Sequence, residues 1–372
     1  MVGGRWRETA LSTPSLRSSI GISFGSWTAN MGALTRLLEV FMTRSKKSPL
    51  TVEVVPSGKY EPDASSVVDM LLQNCDRWEH FSLSNPAVIT RGELLFPAVR
   101  GQNLFRLRSL RIQYRDRNKD DEGELSDIDD LAGVFSLCLS LRGIDLEVNF
   151  PGFMDELELP LSQITRASIT AASVQNIVDF LPSCSHLREL HLINVGELPE
   201  ENEHTDTWES STLQHISCAL QSQDDIDSLF PRLTNPSVEF LSLSSLPQFS
   251  SRAVLNAWPL WPGLSIMDYI SCSNCSITTL HLKRLPITAQ QTTAVLQLMP
   301  NLASLQIEEL ARPASHSNRI VTNEFLQQFV VDQESHWFGH TRSPFLPHLT
   351  DLYLKVHGTV TFERDSFALV SS

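Results

Sequence analysis

An irregular α/β solenoid, with a curved parallel sheet and helices on its outer face, is the fold class that the sequence predicts, and two observations predict it. A six-residue phrase, apolar-x-x-apolar-x-apolar, recurs along most of the chain. Between its copies lie segments whose apolar residues stand at i, i+3, i+4 and i+7, the spacing of one helix face. Helix followed by strand, repeated in one direction, requires parallel strands joined by right-handed crossovers. At so short a period the sheet has no room to double back. Each repeat is too small to bury its own apolar face and gains stability by stacking on its neighbours.

The elements follow in order. WEHFSL (78–83), LRSLRI (107–112), LRGIDL (141–146), ITRASI (164–169), LRELHL (187–192), LQHISC (213–218), VEFLSL (238–243), ITTLHL (277–282), LASLQI (302–307) and LTDLYL (349–354) carry the phrase. The alternation that closes each copy has period two, which predicts a short half-buried strand. Helices are predicted around Leu34, Leu37, Leu38 and Phe41, then Val68, Leu71, Leu72 and Cys75, then Val174, Ile177, Val178 and Leu181, then Val295, Leu298, Met299 and Leu302. Ser66-x-x-Asp69 and Thr288-x-x-Gln291 have the form of capping boxes for the second and fourth. Pro182 and Pro300 stop the third and fourth. From LRSLRI onward, successive copies start 34, 23, 23, 26, 25, 39, 25 and 47 residues apart. The shorter steps match leucine-rich repeats, whose period is roughly 20 to 29 residues, and the longer ones read as a repeat plus an insertion. Of the asparagine that follows each strand in the strict repeat, only Asn194 comes close, one residue early, so an irregular, degenerate array is expected.

Charge and cysteine usage narrow the function classes. The formal net charge is -14. Residues 116–130 hold eight acids against Arg117 and Lys119, and residues 197–209 hold six acids and no Lys or Arg. The acidity thus belongs to two loops, read either as solvated insertions or as a docking site for a basic partner. No basic stripe interleaved with aromatics is present, so nucleic acid is not an expected partner. The longest nearly apolar run, 131–141, is 11 residues, too short to span a membrane. Six scattered cysteines read as reduced core residues of a cytoplasmic or nuclear protein. Cys272-x-x-Cys275 ends a helix and has no second ligand pair nearby, so no metal, redox centre or cofactor is expected.

Three groups of residues carry candidate chemistry. Gly21-Ile22-Ser23-Phe24-Gly25 fits the G-x-S-x-G elbow of serine hydrolases, but the 22 residues before Ser23 are too few to build the strands that an oxyanion hole needs. A hydrolase using Ser23 is the minor reading; the chain is expected not to be an enzyme and to have no catalytic residue. Arg111, Asp145, Ser168, His191, Ser217, Ser242, His281, Gln306 and Tyr353 fill the polar position between the last two apolar residues of their strands. In a solenoid that position faces away from the core. Arg111, Asp145, His191, Ser242, His281, Gln306 and Tyr353 are therefore the candidate contacts to a target protein on the concave face. Trp258, Trp261 and Tyr269 are expected to cover the end of a core, and the segment ending in HWFGH (336–340) to cap the C-terminal repeats after a helix around 325–330.

The N-terminal WRETALSTPSLRSSI then becomes legible. It resembles the end of an F-box in fungal F-box proteins with leucine-rich-repeat-like regions, where the phrase runs W-R-x-I-A-L-x-T-P-x-L-W-x-x-I. Trp6, Arg7, Ala10, Leu11, Thr13, Pro14, Leu16 and Ile20 match, and Arg17 stands where that family has tryptophan. LLEVFMTRSKKSPLTVEV, NCDRWEHFSL, LPLSQIT and SNCSITTLHL are similar, in the same order, to later phrases of the family. The resemblance implies a substrate receptor, in which the F-box docks on the adaptor of a cullin-RING ubiquitin ligase and the solenoid holds a target protein. It makes residues 1–22 the remnant of a truncated F-box, with Trp6, Arg7, Leu11, Pro14 and Leu16 nearest the adaptor, and residues 23–372 the solenoid. A solenoid interaction protein unrelated to ubiquitin is the alternative.

Overall fold

Strict alternation of apolar and polar residues sets the strands, and their register aligns every apolar position. The computed structural model describes residues 13–14, 18–24, 31–55, 65–84, 104–113, 135–147, 158–196, 207–246, 263–310, 320–329 and 345–356. They fall into two units, Met1–Ala172 with Ser183–Leu187, and Ser173–Pro182 with Arg188–Ser372.

In the first unit, β1 (Ser19–Ser23), β2 (Leu50–Val55), β3 (Trp78–Ser84), β4 (Ser109–Gln113), β5 (Gly143–Glu147) and β6 (Arg166–Thr170) pair in chain order, all parallel. Pairing puts Ile20, Val52, Phe81, Leu110, Ile144 and Ala167 in one column, and Ile22, Val54, Leu83, Ile112, Leu146 and Ile169 in the next. All twelve are buried. At about 1.5–3 kcal/mol for each large side chain removed from water, these columns dominate the stability of the unit. Helices α1 (Met31–Ser45) and α2 (Ser65–Leu72) link the first three strands.

The buried stripe of α1 is Met31, Leu34, Leu38, Met42 and Ser45. This corrects the stripe expected from Leu34, Leu37, Leu38 and Phe41: Leu37 is 43% exposed and Phe41 only half-buried. Ser66 lies inside α2 and not at its cap, and its hydroxyl sits 3.3 Å from that of Thr35. The α1 C-terminus is closed by a buried cation. Arg77 donates to Ser45 Oγ at 2.7 Å, to the Ser48 carbonyl at 3.1 and 3.2 Å, and to Asn74 Oδ1 at 3.2 Å. Beside it, the rings of Trp78 and Phe81 stack at 4.5 Å.

The second unit repeats the rule. After α3 (Val174–Phe180) come β7 (Glu189–Ile193), β8 (Trp208–Glu209), β9 (His215–Leu220), α4 (Gln223–Leu229), β10 (Leu233–Thr234), β11 (Phe240–Ser245), α5 (Gly263–Ser273), β12 (Thr279–Lys283), α6 (Ala289–Gln297), β13 (Ser304–Glu308), α7 (Asn323–Gln327) and β14 (Asp351–Lys355). β7, β9, β11, β12, β13 and β14 form the parallel sheet in that order, while β8 and β10 pair separately. Its core columns are Leu190, Ile216, Leu241, Leu280 and Leu305, then Leu192, Cys218, Leu243, Leu282 and Ile307, and Leu352 and Leu354 of β14 continue them half-buried. The ends of the helices are fixed by side chains. Ser222 and Thr288 form full capping boxes with Asp225 and Gln291, and Ser173 and Thr322 cap α3 and α7.

Strands leave the sheet on a left-handed residue at Ala171 (φ 61), Asn194 (φ 57) and Arg284 (φ 55). Asn194 and Arg284 still donate N–H bonds to the next strand, to the Ala219 and Glu308 carbonyls. The Asn194 side-chain carbonyl also accepts from Gln221 Nε2 of the following repeat. One carboxylate does comparable work after β13: Glu309 Oε1 accepts the N–H groups of Ile320 at 3.0 Å and Val321 at 2.7 Å. Each unit is thus an open α/β solenoid-like sheet, apolar on the helix side and polar on the other, as the repeats predict. Among the described residues no helix is long and apolar enough to cross a membrane.

Candidate binding face

Period two sends every second side chain to the solvent side, and in-register pairing lines these residues up as the core columns are lined up. In the second unit, His191, Ser217, Ser242, His281, Gln306 and Tyr353 stand opposite one another across six strands. In the first unit, Glu53, Ser82, Arg111, Asp145 and Ser168 do the same. The polar column read from the sequence therefore exists as a row in each unit.

The two rows differ in chemistry. Arg111 Nε reaches Asp145 Oδ2 at 2.6 Å, so two of the three charges of the first row, Glu53 being the third, pair with each other. Their half-exposed pairing is worth no more than about 1 kcal/mol. The second row is uncharged apart from its imidazoles. Tyr353 is 54% exposed, Gln306, His191 and His281 are half-buried, and Ser242 is buried.

Beside this row lies a cluster that the sequence reading missed. Phe240 sits between two imidazoles, with ring centroids 5.2 Å from His215 and 4.9 Å edge-on from His281. Burial, and secondarily the Lys283 ammonium, push the His281 pKa below its ordinary value of 6.5. The neutral ring is therefore favoured at neutral pH. His215 and Phe240 open their strands, two residues before the row, on the same side of the pleat. Extending the period-two count by one step toward each strand's start would have found them. At the far side of the row, Lys355 Nζ pairs with Glu308 Oε1 at 3.0 Å.

The other candidates fall elsewhere. Ser23 is exposed at the end of β1, in register with Val55. Cys75, Cys138, Cys184 and Cys218 are buried and form no disulfide, Cys272 is exposed at the end of α5, and Cys275 follows it. Burial pushes Cys138, Cys184 and Cys218 up to about 12. Among the described residues no group of three or more His, Cys, Asp or Glu is placed to hold a metal ion. Tyr269 is buried edge-on to Phe230 at 5.1 Å, as expected of a core cover. A groove of about 430 Å³ between α6 and α7 is lined mainly by Gln, Thr and Ala, and among the described residues Glu324 is its only titratable side chain. Pro14 is half-buried in a short turn. Trp6, Arg7, Leu11, Leu16, Trp258, Trp261, HWFGH, the whole of 116–130 and residues 197–206 of the second acidic segment lie outside the described residues.

Comparison with known proteins adds little. No family model matches the chain, and no curated protein matches it. Among solved structures, a crystal structure of a Bacteroides fragilis protein is similar over 88% of this chain and 84% of its own, at 10% identity and a TM-score of 0.29. At that score the likeness carries no weight for fold or function.

Proposed function

We propose that the chain is a non-enzymatic protein-binding scaffold, acting in the cytoplasm or nucleus, whose target docks on the solvent side of the second unit's sheet. The observation that supports this is the register that assembles His191, Ser242, His281, Gln306 and Tyr353 into one row beside the His215–Phe240–His281 cluster. Rigid aromatics that anchor, flanked by hydroxyl and amide groups that adapt, are the chemistry of protein-recognition surfaces. Arg111 and Asp145, in the first unit's own row, are a separate candidate contact. The resemblance of the N-terminal phrase to an F-box supports a narrower reading, that the target is a substrate presented to a cullin-RING ubiquitin ligase. The alternative is an interaction solenoid unrelated to ubiquitin, which the binding row alone supports equally well.

Affinity purification of the full chain tests both readings. Tyr353→Asp, combined with Arg111→Glu and Asp145→Lys, is expected to lose the target recovered with the parent; full retention would overturn the binding-face proposal. Recovery of the ligase adaptor supports the ubiquitin reading, and its absence alongside a retained target supports the alternative.

A further inference from the structure

The turns that enter β4 and β5 leave apolar side chains in water. Leu107 N–H bonds to the Leu104 carbonyl, and Leu141 N–H to the Cys138 carbonyl, both three residues back. The backbones of Arg142 and Gly143 then dock on the Arg108 carbonyl, which puts the two turns side by side. In both, the residues that anchor the turn, Leu104 and Leu107, Cys138 and Leu141, are buried. The residue after the first anchor points out: Phe105 is 56% exposed, and its counterpart Leu139 is 64% exposed. Leu137, just before the anchor Cys138, is 68% exposed. Repeat packing therefore does not need these side chains, and three large apolar groups collect on one edge of the first unit.

Among the described residues the charges around them are mainly cationic, with Asp76 and Glu79 of the neighbouring β3 entry as the acids. Arg106 and Arg142 are exposed, and the Arg142 guanidinium folds back to the Leu139 and Leu141 carbonyls at 3.3 and 2.9 Å, beside the exposed leucine. Arg108 is 68% exposed and pairs with Glu79 at 2.9 Å. Arg166 is exposed at the start of the next strand, its guanidinium lying over Gly143. In a chain of net charge -14, this edge is cationic and apolar together.

We propose that this strand-entry edge of the first unit, separate from the sheet face, binds an acidic segment of another protein that carries two or three apolar side chains. Phe105, Leu137 and Leu139 take the apolar groups, and Arg106, Arg108 and Arg142 take the carboxylates. Charge complementarity gives the specificity, and burial of the exposed rings and methyls gives the affinity.

Fluorescence anisotropy on the full chain tests this with two synthetic peptides that share one leucine spacing, one filled with glutamate and the other with lysine. The glutamate–leucine peptide is expected to bind and the lysine–leucine peptide not. Affinity is expected to weaken with added salt. It is also expected to fall by about tenfold or more in Phe105→Ser/Leu139→Ser and in Arg106→Glu/Arg142→Glu. These side chains are exposed, so both variants keep the parental circular dichroism and unfolding midpoint. Failure of the glutamate–leucine peptide to bind, equal binding of both peptides, or binding indifferent to both double variants would overturn the proposal. So would equal binding of a glutamate–serine peptide, which would mean charge attraction alone. Binding of phosphatidylserine vesicles, lost in the same variants while the peptide is ignored, would replace it with a lipid surface.

Discussion

Glu309 is buried, and its Oε1 serves two buried N–H groups, so its removal leaves both without an acceptor. Glu309→Ala is expected to cost about 2 kcal/mol or more in chemical denaturation, and Glu309→Gln, which keeps the carbonyl oxygen, clearly less. His281 makes a different demand. Its pKa is lowered in the folded chain, so the unfolded chain takes up the proton more readily. The stability it contributes is fully present above the unfolded value of 6.5 and is lost as pH falls from there through the folded value. Unfolding midpoints measured on either side of about pH 6.5 should therefore drop on acidification, and His281→Gln should flatten the profile. Neither residue's role was legible in the sequence. Glu309 follows an LASLQI copy like any loop acid, and only the return of the chain at Ile320 gives it two donors.

At the scale of elements the ten copies of the phrase all became strands, because alternation within each strand is a local property that burial then enforces. Leu190 and Leu280 are fully buried in the core column, so Leu190→Ala or Leu280→Ala should cost about 2–5 kcal/mol, read from denaturation midpoints. β1 and β2 were not among the copies, since SIGIS and LTVEVV alternate without the leading apolar-x-x step. The helices were less legible. Leu37 and Val40 make α1 apolar beyond one stripe, and only the packing decides which margin is buried. α4 offers just Ile226 and Leu229 as apolar residues, too few for a period, although its capping box is complete. Ser222→Ala and Thr288→Ala should each cost about 1 kcal/mol, more than the same change at Ser66, which caps nothing.

At the scale of the molecule, the chain's thiols report on its packing. Native thiol labelling should modify Cys272 first, since it alone among the six cysteines is exposed, and denaturation should release the rest. A core cysteine reacting as fast as Cys272 would contradict the burial that pushes Cys138, Cys184 and Cys218 to about 12. The candidate face was half legible: the row follows from period two, but which neighbours lie beside it depends on the order of strands, which no single phrase contains. Phe240 reads as one apolar residue in VEFLSL until β9 and β12 bring imidazoles to both sides of it. The shared register also makes the row of the second unit a ruler. Its marks are one strand apart, about 4.8 Å, whereas same-side residues of an extended peptide recur every 6.7 Å or so and the turns of a helix every 5.4 Å or so. A helix laid across the strands slips by about 0.6 Å per mark and an extended segment by about 2 Å. From His191 to Tyr353, a helical partner can therefore keep step with the row far longer than a strand can.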